Sequence, residues 1–237
     1  MSVFRSIVFA AVVVGSIVGA AVTVAQLFST VPLILKGEVY ERGAADAVQP
    51  AATPHEHAGH ENAVHDHGSV AWEPKDGLQR NSFTAAANIL AAIGWSLLLA
   101  GIYALRGHPV TWHEGLLWGF GGFVVFTAAP GLGLPPELPG VPSAPLEARQ
   151  IWWIATAAAT GAGLSLIVFR RSAWAAALGF CLIVAPHLIG APHVADAHTN
   201  VPTALSRQFV VAVTLTSLLS WVLLGSLTSV AYRRFSA

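Results

Sequence analysis

The chain has 237 residues, of which 54% are apolar and only 10% charged, against roughly 25% charged in an average soluble domain. Together with a mean hydropathy of +0.62, this excludes a soluble globular fold and gives the composition of a protein that crosses a membrane several times. Twelve Lys and Arg balance twelve Asp and Glu, so there is no basic surface to neutralise phosphates and nucleic acid is not expected as a partner.

A helix needs about 17 to 25 apolar residues to cross the hydrocarbon core. Six segments approach or meet that length: 6–28, 83–105, 115–129, 151–169, 173–189 and 209–232. The third is short by this cut. The fifth follows Arg170-Arg171-Ser172 so closely that it must form a tight hairpin with the fourth. The expected fold is a single all-α integral membrane domain over 1–237, with about six transmembrane helices, five being the alternative count. A long histidine-rich outer loop, 36–82, separates the first two spans.

The first span has a rival reading as a signal peptide, because Arg5 precedes it and small residues occupy 20–25. Its length exceeds the usual apolar region of about 7–15 residues, which favours a retained span. Gly15 and Gly19 in this span have the spacing of a close helix-packing surface. Gln26 near its outer end and Asn88 in the second span are suited to hydrogen bonding between helices.

Six crossings put both termini on one side. That side holds 1–5, 106–114, 170–172 and 233–237, with Arg5, Arg106, Arg170, Arg171, Arg233 and Arg234 against the single acid Glu114. Cationic density in short segments marks the cytoplasmic face. The expected location is therefore a plasma (inner) membrane, with both termini cytoplasmic and lipid around the spans. Trp112, Trp118, Trp152, Trp153 and Trp174 lie near span ends, where aromatic belts form.

The chemistry concentrates on the outer side. His55, His57, His60, His65 and His67 fall within thirteen residues that also contain Glu56, Glu61 and Asp66. Neutral imidazole is the commonest metal ligand and suits Co²⁺, Ni²⁺, Cu²⁺ and Zn²⁺. The flanks carry Pro, Gly and Ala without apolar period, so this loop reads as a labile metal collector, the alternative being a solvated tether. A second group, Pro186-His187 followed by Pro192-His193 and His198, sets an imidazole at membrane depth where prolines free backbone carbonyls. The bland alternative for His187 is a hydrogen bond to a neighbouring helix. Glu38 and Glu41, three residues apart beside the first span, share one face if the helix continues and would complete a nitrogen and oxygen site. His108 and His113, at the opposite face, read as having no special role, an interfacial or exit-side one being the alternative. Cys181, the only cysteine, lies in an apolar run and can build neither a disulfide framework nor a thiolate site within one chain.

Gln26 and Pro32, the run Glu38-Val-Tyr-Glu41, the loop Pro135-Pro136-Glu137-Leu-Pro139-Gly140-Val-Pro142 with the following Arg149-Gln150-Ile-Trp152-Trp153, and Pro186-His187-Leu-Ile-Gly190-Ala-Pro192 together resemble the CbtA family of predicted cobalt transporter subunits over nearly the whole chain. The resemblance implies cobalt as the cargo, a link to cobalamin biosynthesis and a small single-span, histidine-rich partner, CbtB. The family is usually credited with five spans, one fewer than counted here.

The function expected is uptake of divalent metal, Co²⁺ first with Ni²⁺ or Zn²⁺ as alternatives, by a non-enzymatic subunit without a prosthetic group. The outer loop collects the ion and a histidine and carboxylate site at the outer helix ends passes it inward. No Walker A pattern occurs, so ATP hydrolysis would belong to another chain. A non-conducting accessory or sensor subunit is the first rival. A membrane metalloenzyme or haem protein is the second, weakened because no span has a histidine near its middle.

Overall fold

A computed structural model describes residues 2–48, 74–108, 110–194 and 198–236, and among these all regular structure is helical. The first span forms α1 (Val3–Phe28). Sequence reasoning gave residues 36–48 to the outer loop, but the chain breaks at Ser29 and resumes as α2 (Thr30–Val48). Pro32 cannot donate to the Phe28 carbonyl, which ends α1, yet it fits the first turn of a new helix. The Ser29 hydroxyl donates to the Ala25 carbonyl over 2.7 Å at the break. α2 is held by tertiary packing: Leu33 and Ile34 lie against buried Leu138, Val201 and Phe209.

Next comes α3 (Leu78–Arg106). The third span is longer than its apolar run suggested. α4 (Trp112–Phe123) starts in a capping box between Thr111 and Glu114, widens into a π-helical segment at Val124–Ala128, and continues as α5 (Ala129–Gly133). Pro130 explains the widening, since its ring clashes with the carbonyl four residues back and a wider turn relieves the clash. α6 (Leu146–Arg170) turns through left-handed Arg171 into α7 (Ala173–Ile189), and α8 (Thr203–Ser236) ends the chain.

Five helical stretches are long and apolar enough to cross a membrane: Val3–Phe28, Leu78–Arg106, Trp112–Gly133, Leu146–Arg170 and Thr203–Ser236. The expected sixth span, α7, is a 17-residue apolar helix.

α1 packs on α3 and α8, α4 packs on α8, and α6 pairs with α7. The helices approach closely because small residues face one another. A Cβ on Gly15 would meet the Ile93 backbone, and one on Gly225 would meet the Gly115 carbonyl and, at 2.7 Å, the Gly119 nitrogen. In lipid, where apolar burial supplies little drive between helices, such close approach gives the van der Waals packing that holds them. The core is Val14, Val18, Val22, Leu99, Tyr103, Phe123, Trp221 and Leu224. Large apolar side chains such as Phe28, Leu90, Leu105 and Leu188 point outward, as a lipid-facing surface requires.

Candidate functional site

The bundle encloses a cavity of about 620 Å³ among α1, α2, α3 and α8, with the π-helical segment and Trp153 of α6 completing its wall. Arg80, Asn81, Val31 and Ile34 mark one end. Its floor is aromatic. Trp95 lies 4.7 Å from Phe126 and 4.9 Å from Trp221, ring centre to ring centre, and Phe126 stacks on Trp221 at 5.7 Å. Beyond the floor, buried Ser96 and Thr228 share a hydroxyl hydrogen bond of 2.8 Å, and Tyr103 donates to the Gly225 carbonyl over 3.4 Å. The cavity thus reaches towards the end of the bundle that carries the long connections and stops short of the end that carries the termini.

Its walls are mostly apolar, with neutral polar side chains set among them. Asn88 donates to the Gln26 side-chain oxygen over 2.7 Å and to the Thr23 hydroxyl over 3.0 Å, the interhelical use expected of both amides. Thr84 and Thr216 donate to carbonyls of their own helices, and Thr30, at the start of α2, donates to the Gln26 carbonyl of α1. Trp221 donates its indole N–H to Thr127 in the π-helical segment over 3.3 Å. π-Helical turns recur at functional sites because they displace side chains from the regular helical face, and here Phe126 and Thr127 both line the cavity. Among the described residues no Asp, Glu, His or Cys lines it.

Arg80 is the one charged lining residue among the described residues. Its guanidinium pairs with Glu38 of α2 and with Asp76 at 3.1 Å, tying α2 to α3 across the cavity mouth. Both carboxylates are thus engaged by the one guanidinium.

The residues expected to ligate metal are distributed differently. Glu38 belongs to the mouth through Arg80, whereas Glu41 is exposed beside Gly140. His187 sits on α7, its ring 5.8 Å from that of Trp152, whose indole donates to the Pro186 carbonyl over 3.3 Å. The Nε2 atom of His187 is buried without a hydrogen-bond partner among the described residues, so the simple interhelical bond is not made. The other buried partnerless side-chain atoms, Thr156 Oγ1, Thr160 Oγ1 and Ser172 Oγ, lie on the same α6–α7 hairpin. His193 is exposed and bonded to the Ala191 carbonyl at 3.0 Å, and His198 is exposed. His55, His57, His60, His65 and His67 lie outside the described residues. Among the described residues no three His, Cys, Asp or Glu side chains come together. α7 packs on α6 and α5, while α1 packs on α2, α3 and α8. His187 and the carboxylates of α2 therefore belong to different parts of the bundle, and the joint site they were expected to form is not assembled.

The loop that carries the family-like motif is architectural. Glu137 pairs with Arg149 at 3.4 Å, Thr199 donates to the Gly140 carbonyl over 2.8 Å, and Leu138 packs under α2 and α8. Sequence reasoning missed the cavity residues Arg80, Asn81, Thr84, Thr216, Ser217 and Ser220, which carry no motif.

A bundle of apolar helices, five of them long enough to cross a membrane, around a cavity blocked towards one end defines a polytopic membrane protein. A family model described as probable cobalt transporter subunit (CbtA) matches residues 4–233 of the chain, and the chain belongs to that family. It is thus a membrane-embedded subunit of a cobalt transport system, which implies further subunits. No curated protein and no solved structure matches the chain.

Proposed function

We propose that this chain is the membrane-spanning subunit that admits Co²⁺ from the extracytoplasmic face of a plasma (inner) membrane and releases it inward, supplying cobalamin biosynthesis. The observation that carries this reading is the cavity: neutral polar side chains set among apolar walls, Arg80 paired with two carboxylates at the mouth, and an aromatic floor backed by hydrogen-bonded hydroxyls. That is the shape of a solute site seen from one side. The arginines at the terminal end support a cytoplasmic assignment for both termini.

Segment 55–67 is the collector in this scheme, with His187, His193, His198, Glu38 and Glu41 as outer ligands that the ion meets before the cavity. The membrane potential contributes about 2.3 kcal/mol per charge per 100 mV, which for a dication is roughly three decades of concentration ratio at 100 mV. A small CbtB-type partner with a histidine-rich tail would work beside it. The cargo is a metal ion, Co²⁺ before Ni²⁺ or Zn²⁺, and no prosthetic group or catalysis enters the scheme.

The test is radioactive cobalt uptake into proteoliposomes, alone and with the partner, comparing wild type with Asn88→Leu at matched abundance. Leucine removes both the Gln26 and Thr23 bonds and narrows the cavity. Loss of most uptake is expected; wild-type uptake by Asn88→Leu would overturn the cavity as the path.

A further inference from the structure

We infer that the end of the bundle carrying both termini holds a phospholipid with an anionic headgroup, its phosphate on Arg5 and Arg234 and one acyl chain laid along α1. The site is made by the contact between the first turns of α1 and the last turn of α8. There the Ser6 hydroxyl donates to the Phe235 carbonyl and the Phe9 ring meets that of Phe235, which brings Arg5 beside Arg233 and Arg234. All three arginines are exposed.

Like charges brought together repel, and a guanidinium recognises phosphate through paired N–H donors. The acids nearest in sequence are Glu38, beyond the whole of α1, and Asp196, before the start of α8. Glu114 at the same end is engaged by the Thr111 hydroxyl and by Arg106 at 3.5 Å. An anion from outside the chain completes the arginine cluster.

The adjoining surface decides which anion. Arg5 heads a row of residues spaced by four, Phe9, Val13 and Ile17, which lie in line along one side of the helix, and all three are exposed. On a helix long and apolar enough to cross a membrane, this row faces lipid. A free phosphate would use the arginines alone. A phospholipid uses arginines and row together, its headgroup and acyl chain meeting where the charged and apolar surfaces meet. Exposed Phe4 beside Arg5 lies at that boundary. Near an anionic lipid surface each arginine is worth about a fivefold preference, so three together favour a negative over a zwitterionic headgroup by about a hundredfold.

The test is native mass spectrometry of the full chain in detergent, titrated with dioleoylphosphatidylglycerol or with dioleoylphosphatidylcholine. The first should be retained at a concentration at least about tenfold lower than the second. Arg5→Gln with Arg234→Gln should remove most of that difference. Arg170→Gln with Arg171→Gln, in the α6–α7 turn at the same end, takes away equal charge and should change it by less than about twofold. Equal retention of the two lipids by the wild-type chain would overturn the inference, and so would equal loss in the two arginine pairs, which would leave only the overall charge of this end. Excess inorganic phosphate should not displace the phosphatidylglycerol; displacement would show that the arginines hold a free anion and that the row on α1 takes no part.

Discussion

Ser6 and Phe235 are 229 positions apart in the chain, yet the Ser6 hydroxyl donates to the Phe235 carbonyl over 2.7 Å. Phe9 meets Phe235 as well, with ring centres 6.2 Å apart. The start of α1 and the end of α8 therefore share one end of the bundle, as six crossings with α7 counted among them would require. With a cytoplasmic assignment of that face, residue 60 is expected outside. A His60→Cys variant in a Cys181→Ala background should react with a membrane-impermeant maleimide in right-side-out vesicles without detergent, whereas Ser236→Cys should react only after permeabilisation. The reverse pattern would invert the topology.

Helix contact through glycine has a sharp signature. Gly225→Ala places a methyl against the Gly115 carbonyl and the Gly119 backbone, and overpacking of this kind costs about 1–3 kcal/mol. Gly94 lies in α3 with nothing within 4 Å of a Cβ, so Gly94→Ala should be neutral or mildly stabilising. The fraction remaining monodisperse in detergent after stepwise heating should fall for the first variant and hold or rise for the second.

The Glu38 to Arg80 pair joins two helices while remaining partly exposed, with side-chain accessibilities of 21% and 30%. A hydrogen bond between charged groups contributes about 1.5–3 kcal/mol when shielded, and an exposed pair less than about 1. A double-mutant cycle using Glu38→Gln and Arg80→Gln should give a coupling of about 1 kcal/mol. Additive effects on stability would show that α2 is held by Leu33 and Ile34 alone.

Collection by imidazole must compete with protons. Deleting residues 55–67 should raise the cobalt concentration for half-maximal uptake while largely sparing the maximal rate, because a tethered ligand changes local concentration and not the path. Neutral imidazole binds metal and its protonated form does not, so collection is present above a pKa of about 6.5 and is lost as pH falls through it. The advantage of the full chain over the deletion variant should therefore shrink between pH 7.5 and pH 5. An advantage that stays constant over this range would exclude imidazole ligation.

The spans were legible because lipid imposes one rule on every residue of a crossing helix. The interhelical use of Gln26 and Asn88 was legible too, since an amide at that depth needs a partner. α2 was not, because Lys36, Glu38, Glu41 and Arg42 dilute its apolar content, and the residues that stabilise it, Leu138, Val201 and Phe209, are far along the chain. The cavity was equally hidden. Thr84 and Thr216 are ordinary helix hydroxyls until the packing of four helices decides which of them face a common space. Arg80, just outside the second span as read, looked like a loop charge. The resemblance to the cobalt transporter subunit, in contrast, rested on local runs such as Pro135 to Pro142 with Trp152-Trp153, and the family match over 4–233 bears it out.

The shortness of α7 bears on the lipid itself. Its 17 residues span about 26 Å at 1.5 Å per residue, against a hydrocarbon core of about 30 Å. Its neighbour α6 has 25 residues, so the hairpin presents two unequal hydrophobic lengths to the same bilayer. Should α7 cross, such a mismatch costs a fraction of a kcal/mol per Å, and thinning of the bilayer around α7 is one way to relieve it, one that would draw headgroups and water down towards His187. Acyl-chain length thereby becomes a control on how deeply the aqueous phase reaches into this side of the bundle, and thinner membranes should hydrate the His187 ring more fully than thick ones.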